Sequence, residues 1–494
     1  MGTGMAARPD VVAPPSGFRG NTLTGWGLFF FAVSASAPMA VLAGGIIAAF
    51  AGTGVVGMPA AFPLLTAALM LFSVGYVSMA RHIRHAGPLY AHVARGLGPV
   101  RGVAAATVAL LSYNCIQICL YGLFGFTMAG FGLGPWWPWA LAAWVMVATF
   151  GILEITITAK ALAMLLGVEL VVVAGFVALA LTFPAGGHLD FTPLWAGSLF
   201  GDGVGGVLAL SVACFVGYES TLAFAEEAVS HTTISRASFV SLLFLGVLYT
   251  MAAWAVTAAT GPGNVAAVAA SEGAGIIFAV LHGHAGPFAV VLASIFLATS
   301  VFAAMLSFHQ TVARYLFAMT RERLLPRRLG KVGHRSGAPI GGSAVQSALA
   351  LAVIVVWWLF GLDPMGLFTT LAALAAVGIM SLMVVNCVAA MGFYRRGGGA
   401  REGVWIRVGA PLCGAVAMAV VVAVTVSNLH SMTGAQAGSA WVWFVPSLVV
   451  AVAAGGLVWG VVVRLRHRDV AAGVGRGEPE PLAVLEHHLI GVEL

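Results

Sequence analysis

SASAPMAVLAGG (residues 34–45) and SVACFVGYESTLAFAEE (residues 211–227) decide how this chain folds. Each lies inside an apolar run long enough to cross a membrane, and each carries a residue that a continuous helix does not want. Pro38 removes a backbone donor in mid-run, behind the small residues Ser34, Ala35 and Ser36. Gly217 sits between Phe215 and Tyr218 and is followed by the ionisable Glu219. A membrane helix interrupted in this way exposes amides and carbonyls to whatever lies in the gap. Paired interruptions in corresponding parts of two halves point to the binding site of a secondary transporter.

The runs around these stretches establish the solvent. The chain has 494 residues, 60% hydrophobic and 8% charged. Soluble domains carry about 25% charged residues, so this surface faces lipid. Unbroken apolar runs, rather than alternating ones, select helices over a barrel. With about 20 apolar residues per crossing, twelve spans are expected near residues 24–50, 55–79, 99–130, 135–153, 159–183, 203–226, 238–260, 286–316, 340–360, 366–393, 407–428 and 441–463. The apolar stretch around Gly273 to His282 is too brief to cross and reads as a re-entrant or surface helix.

Charge orients this array. All 23 Lys and Arg fall in the two tails and the loops after even-numbered spans, while the loops around Gly132, His188, Gly263, Asp363 and Ser431 have none. The positive-inside rule then places both termini in the cytoplasm. The basic residues behind the net charge of +6 are thus an orientation signal, not a nucleic-acid surface. The cluster Arg314, Arg321, Arg323, Arg327, Arg328 and Lys331 is expected to meet anionic headgroups.

The broken spans are the first and the sixth, which fits two five-helix inverted repeats followed by two accessory helices. The expected organisation is a cytoplasmic N-terminal tail (1–23), a first repeat (24–183), a second repeat (203–393), accessory spans (407–463) and a cytoplasmic C-terminal tail (464–494), flexible with a weak amphipathic turn at AVLEHHL. Neither lysine, Lys160 or Lys331, belongs to a Walker phosphate cradle, and no HExxH or GxSxG is present. The reading is therefore of no enzyme, no catalytic residue, no metal and no cofactor. Cys115, Cys119, Cys214, Cys387 and Cys413 lie in apolar runs and read as packing residues.

Four segments carry a family resemblance. HAGPLYAHVARGLGP (85–99) resembles a loop pattern Pro-x-x-Gly-Gly-x-Tyr, with Gly87 and Tyr90 in place, Arg84 where the first Pro is usual and Pro88 where the second Gly is. FVGYESTLAFAEE (215–227) resembles a broken-helix signature through Phe215, Gly217, Tyr218, Glu219 and Glu226 or Glu227. ISRAS offers Ser235, Arg236 and Ala237 in place of Pro-Arg-Ala. ARYLFAMTRERLLPRRLGKVGHRSGAP matches through Arg314, Tyr315, Arg321, Glu322, Pro326 and Pro339, with Arg323 at a usual Gly. The chain thereby resembles the amino acid-polyamine-organocation (APC) permeases. The resemblance implies a LeuT-type fold with substrate bound at mid-membrane between spans 1, 3, 6, 8 and 10. It also implies transport of amino acids or related amines through the cell membrane, a polyamine importer or exchanger being the alternative. A channel is the rival of another class, but no repeated pore motif is present.

The candidate substrate residues are Ser34, Ala35, Ser36 and Pro38 in span 1, Tyr113, Asn114 and Gln117 in span 3, and Phe215, Gly217, Tyr218 and Glu219 in span 6. Tyr113 or Asn114 shares a helical face with Gln117, either lining the pocket or bonding between helices. Phe215 and Tyr218 flank the break as an aromatic lid or as packing. A charged carboxylate in mid-membrane costs roughly 2.5–3.5 kcal/mol on insertion scales, so Glu219 needs the interior, a partner or a proton. His309 is expected to make a local hydrogen bond. Glu169 in LLGVELVVVAG is an acid deep in span 5, where the family often carries a Lys whose ammonium replaces a sodium ion between spans 1, 5 and 8. Two readings stand: a proton-coupling group with Glu219 second, or a neutral carboxyl bonded to span 1. A sodium site with Thr299 or Ser300 is the further possibility. No intramembrane Lys or Arg stands beside these acids, which favours a substrate carrying an amine.

Topology is directly testable. In intact cells, single cysteines at His188, Gly263 and Ser431 should react with an impermeant thiol reagent, and one at Gly398 should not; labelling of Gly398→Cys from outside would overturn the twelve-span arrangement.

Overall fold

In a computed structural model, residues 22–333, 336–399, 402–436 and 439–477 are described; the AVLEHHL stretch lies outside them. Among these residues the architecture is all-helical, with a lone bridge joining Leu23 to Ala228. Among the described residues, eleven helices are long and apolar enough to cross a membrane. The expected fourth span is shorter than the sequence suggested: Trp136–Gly151 has 16 residues, against about 20 for an untilted crossing. The apolar stretch after span 7 forms Val265–Glu272 and Gly275–Ala285, bent by 96° where Gly273 stands at φ +53°.

Burial ranks the spans. Their most apolar windows are 83% buried in span 6 (Val204–Phe224) and 78% in span 3 (Pro99–Gly130), but 22% in span 12 (Ala440–Arg466). Spans 3 and 6 are therefore the centre, and span 12 presents apolar residues such as Val450 and Val458 outward. Span 3 packs against spans 8 (Pro287–Arg321), 10 (Pro364–Arg395) and 12.

Both expected breaks are present. The first half of span 1, Gly25–Ala35, is capped by the Thr24 hydroxyl, which accepts from Gly27 N–H at 3.3 Å. The residue before a proline is disfavoured in right-handed helix, and Ala37 sits at φ +42°, ψ 68°. For a residue with a Cβ that conformation costs about 1–2 kcal/mol. The helix resumes at Pro38–Ala40, passes through a π-helical turn at Val41–Ile46 and ends as Ile47–Thr53. In span 6, Val204–Ala213 stops short of Gly217, which takes φ +119°, and continues as a 3₁₀ turn, Tyr218–Phe224.

One end of the bundle is closed by an ionic latch. Arg314 of span 8 donates from Nε and Nη2 to Glu227 at 2.7 and 2.9 Å, and its guanidinium lies 4.5 Å from the Phe224 ring centre. Arg321 grips Glu226 at 2.8 and 2.6 Å, and Glu226 also accepts from Ala86 N–H at 2.9 Å. Glu322 accepts from Tyr90 at 3.1 Å and from the amides of Gly475 and Gly477 at 2.8 and 3.0 Å. His85 Nδ1 accepts from Gly87 N–H, so its Nε2 is the nitrogen that donates to Glu322 at 2.8 Å.

Two expectations are corrected here. Arg314 and Arg321 are not headgroup contacts: the acids ending span 6 draw them inward, leaving Arg314 1% exposed. The described part of the C-terminal tail, residues 464–477, is not free. It forms a short helix, Arg468–Gly473, and then docks on Glu322, with Gly475 at φ +76° where a Cβ would come within 2.7 Å of Ala94 Cβ. Arg323, at the position where a Gly is usual, does adopt positive φ, +59°, and its side chain reaches Asp469 at 3.2 Å.

Removing one partner of a buried pair strands the other charge, at about 3–5 kcal/mol, whereas exposed substitutions stay within about 0.5 kcal/mol. Glu227→Gln should lower the melting temperature of the purified protein strongly and Arg327→Gln should not; equal behaviour would show the latch to be dispensable. Burial opposes ionisation of Glu226, but Arg321 overrides it and holds the carboxyl below its ordinary range. Its contribution is thus complete above about pH 4.3 and lost as pH falls through the lower folded value.

Candidate functional site

The two breaks meet. A Cβ built at Gly217 would fall 2.8 Å from Ala35 Cβ and 3.1 Å from Phe308 Cζ, so only glycine lets the gap in span 6 lie against the end of the first half of span 1. Positive φ imposes the same residue independently.

Breaking a helix in a membrane frees backbone groups that must find internal partners, and here carboxylates supply them. Met39 N–H, at the start of the second half of span 1, donates to Glu169 Oε1 at 2.7 Å, and the Ser300 hydroxyl donates to the same oxygen at 2.6 Å. Glu169 therefore links spans 1, 5 and 8. In the other break, Gly217 N–H donates to Glu219 Oε2 at 2.9 Å and Tyr113 of span 3 donates to Oε1 at 2.9 Å. Both acids are 1% exposed. On the carbonyl side Tyr249 donates to the Ser36 carbonyl at 3.0 Å, and Ser307 adds a bond at 2.9 Å to the Phe31 carbonyl within the first half of span 1.

The remaining candidates divide. Ser34 is buried, and its hydroxyl has no partner among the described residues. Ser36 turns its hydroxyl to Ala32 O, and Pro38 opens the second half of the span. Span 3 does not present one polar face to the breaks. Tyr113 reaches Glu219, but Gln117 bonds Tyr121 at 2.9 Å and Gln346 of span 9 (Ile340–Leu359) at 2.6 Å, and the Asn114 amide returns to Leu110 O. Residues four apart on a helix share a stripe, yet two neighbouring helices compete for it. Phe215 packs near Phe62 and Tyr249, with ring centres 6.1 and 5.6 Å away, and the Tyr218 hydroxyl lies 3.2 Å from Ser73 Oγ. Both aromatics thus contact span 2 (Met58–Ala80). Thr299 bonds Phe296 O on its own helix, leaving Ser300 alone on Glu169. His309 does not bond locally as expected: its Nε2 lies 2.8 Å from Ser343 Oγ on the neighbouring span 9. Tyr249 and Ser307 were not singled out, since a lone Tyr or Ser in an apolar helix carries no spacing signal.

Beside the second half of span 1 lies a cavity of about 500 Å³, lined by Ala43, Gly44, Leu123, Phe126, Leu297 and Met365 among others.

A family model described as amino acid permease matches residues 23–458. An L-lysine transport protein of Corynebacterium glutamicum is 28% identical over 174 residues, 34% of this chain and 33% of that protein. The match therefore spans about a third of that relative's length. Two variants of a manganese transporter from Eremococcus coleocola have related structures. They superpose with TM-scores of 0.52 and 0.53 at 10% and 11% identity, covering 88% and 90% of this chain and 94% and 97% of theirs. At that identity the likeness shows the fold alone, in agreement with the LeuT-type architecture expected from sequence.

Gly217→Leu combines left-handed strain of about 1–3 kcal/mol with a clash at Ala35. It should abolish uptake while membrane expression persists, and Tyr113→Phe should reduce uptake by stripping a donor from Glu219. Thr299→Ala should leave uptake unchanged. Normal transport by Gly217→Leu would place the site elsewhere.

Proposed function

Because this chain belongs to the amino acid permease family, we propose that it is a secondary transporter carrying an amino acid or a closely related amine across the cell membrane by alternating access, driven by proton symport. In this reading spans 1 and 6 open two inverted five-helix repeats (24–183 and 203–393), spans 11 and 12 (407–463) are accessory, and both termini are cytoplasmic. The observation that carries it is the abutment of two broken helices, each with a freed amide held by a buried carboxylate. The substrate sits at that junction, near Ser34, Ala35 and Gly217. The latch then closes the cytoplasmic side, and the cavity by Phe126 and Leu297 is the outer approach.

Glu169 is the coupling group. As a carboxylate it accepts two hydrogen bonds, and charge-assisted bonds are roughly twice as strong as neutral ones. Protonation weakens the tie from Met39 to spans 5 and 8 and frees the second half of span 1 to move. Proton release restores the tie on the other side. This links proton movement to the element that gates the site, without a Lys at the position. A sodium ion is less well served. Hard cations take six or more oxygen ligands, whereas one partner of Glu169 is an N–H and the Thr299 hydroxyl is turned away. Glu219, bound to Gly217 within its own break and to Tyr113, holds that break in shape.

Among substrates, lysine is a natural first probe, given the relative that is an L-lysine transport protein. Proteoliposomes under imposed pH or sodium gradients provide the test. Wild type should accumulate substrate when driven by a pH gradient and should ignore sodium. Glu169→Gln keeps an acceptor for Met39 and Ser300 but cannot titrate, so it should still equilibrate substrate without concentrating it; Glu169→Ala should lose both activities. Wild-type uptake indifferent to the pH gradient, or concentrative uptake by Glu169→Gln, would remove Glu169 from the coupling role.

A further inference from the structure

Outside the transport site, a basic cavity lies where spans 3 and 12 meet the C-terminal helix. It has a volume of about 1010 Å³. Three arginines from three elements line it: Arg101 in the first turn of span 3, Arg464 at the end of span 12, and Arg468 at the start of the terminal helix. No acidic side chain is among its lining residues. Arg101 bonds only a backbone carbonyl, Leu97 O at 2.9 Å, among its described contacts, and no described salt bridge involves any of the three. The transport mechanism uses none of them.

The other wall is apolar and continues toward the bilayer. Leu457, Val461 and Leu465 recur every four residues, forming a stripe on span 12. Their exposures are 42%, 45% and 70%, so the stripe faces lipid. A cavity with guanidinium groups at its mouth and an aliphatic strip running down the adjoining helix matches one kind of molecule. It is an anion with a hydrocarbon chain attached.

We propose that this cavity is a binding site for an anionic phospholipid, with the phosphate-bearing headgroup held by Arg101, Arg464 and Arg468 and an acyl chain lying along Leu457, Val461 and Leu465. Guanidinium forks suit phosphate geometry, and basic pockets between helices at a membrane surface are suited to anionic headgroups. Inorganic phosphate would satisfy the arginines but not the apolar strip. The site also bears on the latch. Arg468 begins the segment whose Gly475 and Gly477 amides bond Glu322, so a lipid bridging spans 3 and 12 to Arg468 fastens that segment in place.

The test uses the purified full-length protein in detergent, with melting temperature read as phosphatidylglycerol, phosphatidylcholine or inorganic phosphate is added. A ligand that binds only the folded state raises stability by mass action. Phosphatidylglycerol should raise the melting temperature by roughly 3 °C or more at saturation, and the other two should not. The shift should vanish in Arg101→Gln/Arg464→Gln/Arg468→Gln and persist in Arg327→Gln/Arg328→Gln/Lys331→Gln, which removes equal charge elsewhere. If the arginine triple variant does not fold, Val461→Trp, which fills the chain groove and leaves every arginine, carries the test and should also lose the shift. A phosphatidylglycerol shift retained in either cavity variant, or matched by inorganic phosphate in wild type, would overturn the proposal.

Discussion

A backbone amide freed inside a membrane has no water to turn to, and each one left unpaired costs several kcal/mol. The centre of this protein is arranged around that constraint. Pro38 and Gly217 interrupt two helices, and Glu169 and Glu219 accept from the amides of Met39 and Gly217. Tyr249 and Ser307 donate to the carbonyls of Ser36 and Phe31. Burying a carboxylate is itself unfavourable, and each acid offsets this by taking a second donor, Ser300 for Glu169 and Tyr113 for Glu219. Spans 3, 5, 7 and 8 are thereby fixed against spans 1 and 6. Any movement of a half-helix must exchange these partners.

The ionic latch obeys the same economy at the other depth. A buried ion pair adds little net stability over apolar packing, because desolvation cancels much of the Coulomb attraction. That is a poor way to strengthen a fold but a suitable way to build a closure that must part. In the proposed alternating cycle, opening of the latch side would let water solvate Arg314, Arg321, Glu226 and Glu227, and closing would restore one geometry through the two-pronged pairs. An apolar seal of the same area would have no comparable compensation on wetting.

What could be read in advance divides along physical lines. Breaks were legible because proline and glycine act on the backbone itself, whatever surrounds them. Glu169 was legible because a lone acid in an apolar helix demands a partner. Its neighbourhood of spans 1, 5 and 8 came from the family resemblance, in which a bond to span 1 was one of two readings and Ser300 one of two possible sodium ligands. The structure gives it both Met39 of span 1 and Ser300 of span 8. Side-chain destinations were not. Tyr113 and Gln117 share a stripe yet part toward spans 6 and 9, since which neighbour claims each is settled by packing. Arg314 and Arg321 looked like headgroup anchors because their acidic partners stand about ninety residues earlier, at the end of span 6. The docking of Gly475 and Gly477 on Glu322 had no local signal, because two glycine amides are anonymous in sequence.

The proposed transporter has one site, at the junction of the two broken helices, reached from one side at a time. Counterflow measures this directly. Proteoliposomes loaded with a high concentration of unlabelled amino acid are diluted into a trace of the labelled one, with no ion gradient imposed. A site that alternates must return loaded, so label should rise transiently inside above its external concentration and then decay. Label that only approaches the external concentration, whatever amino acid is inside, would contradict an alternating carrier and leave a channel in its place.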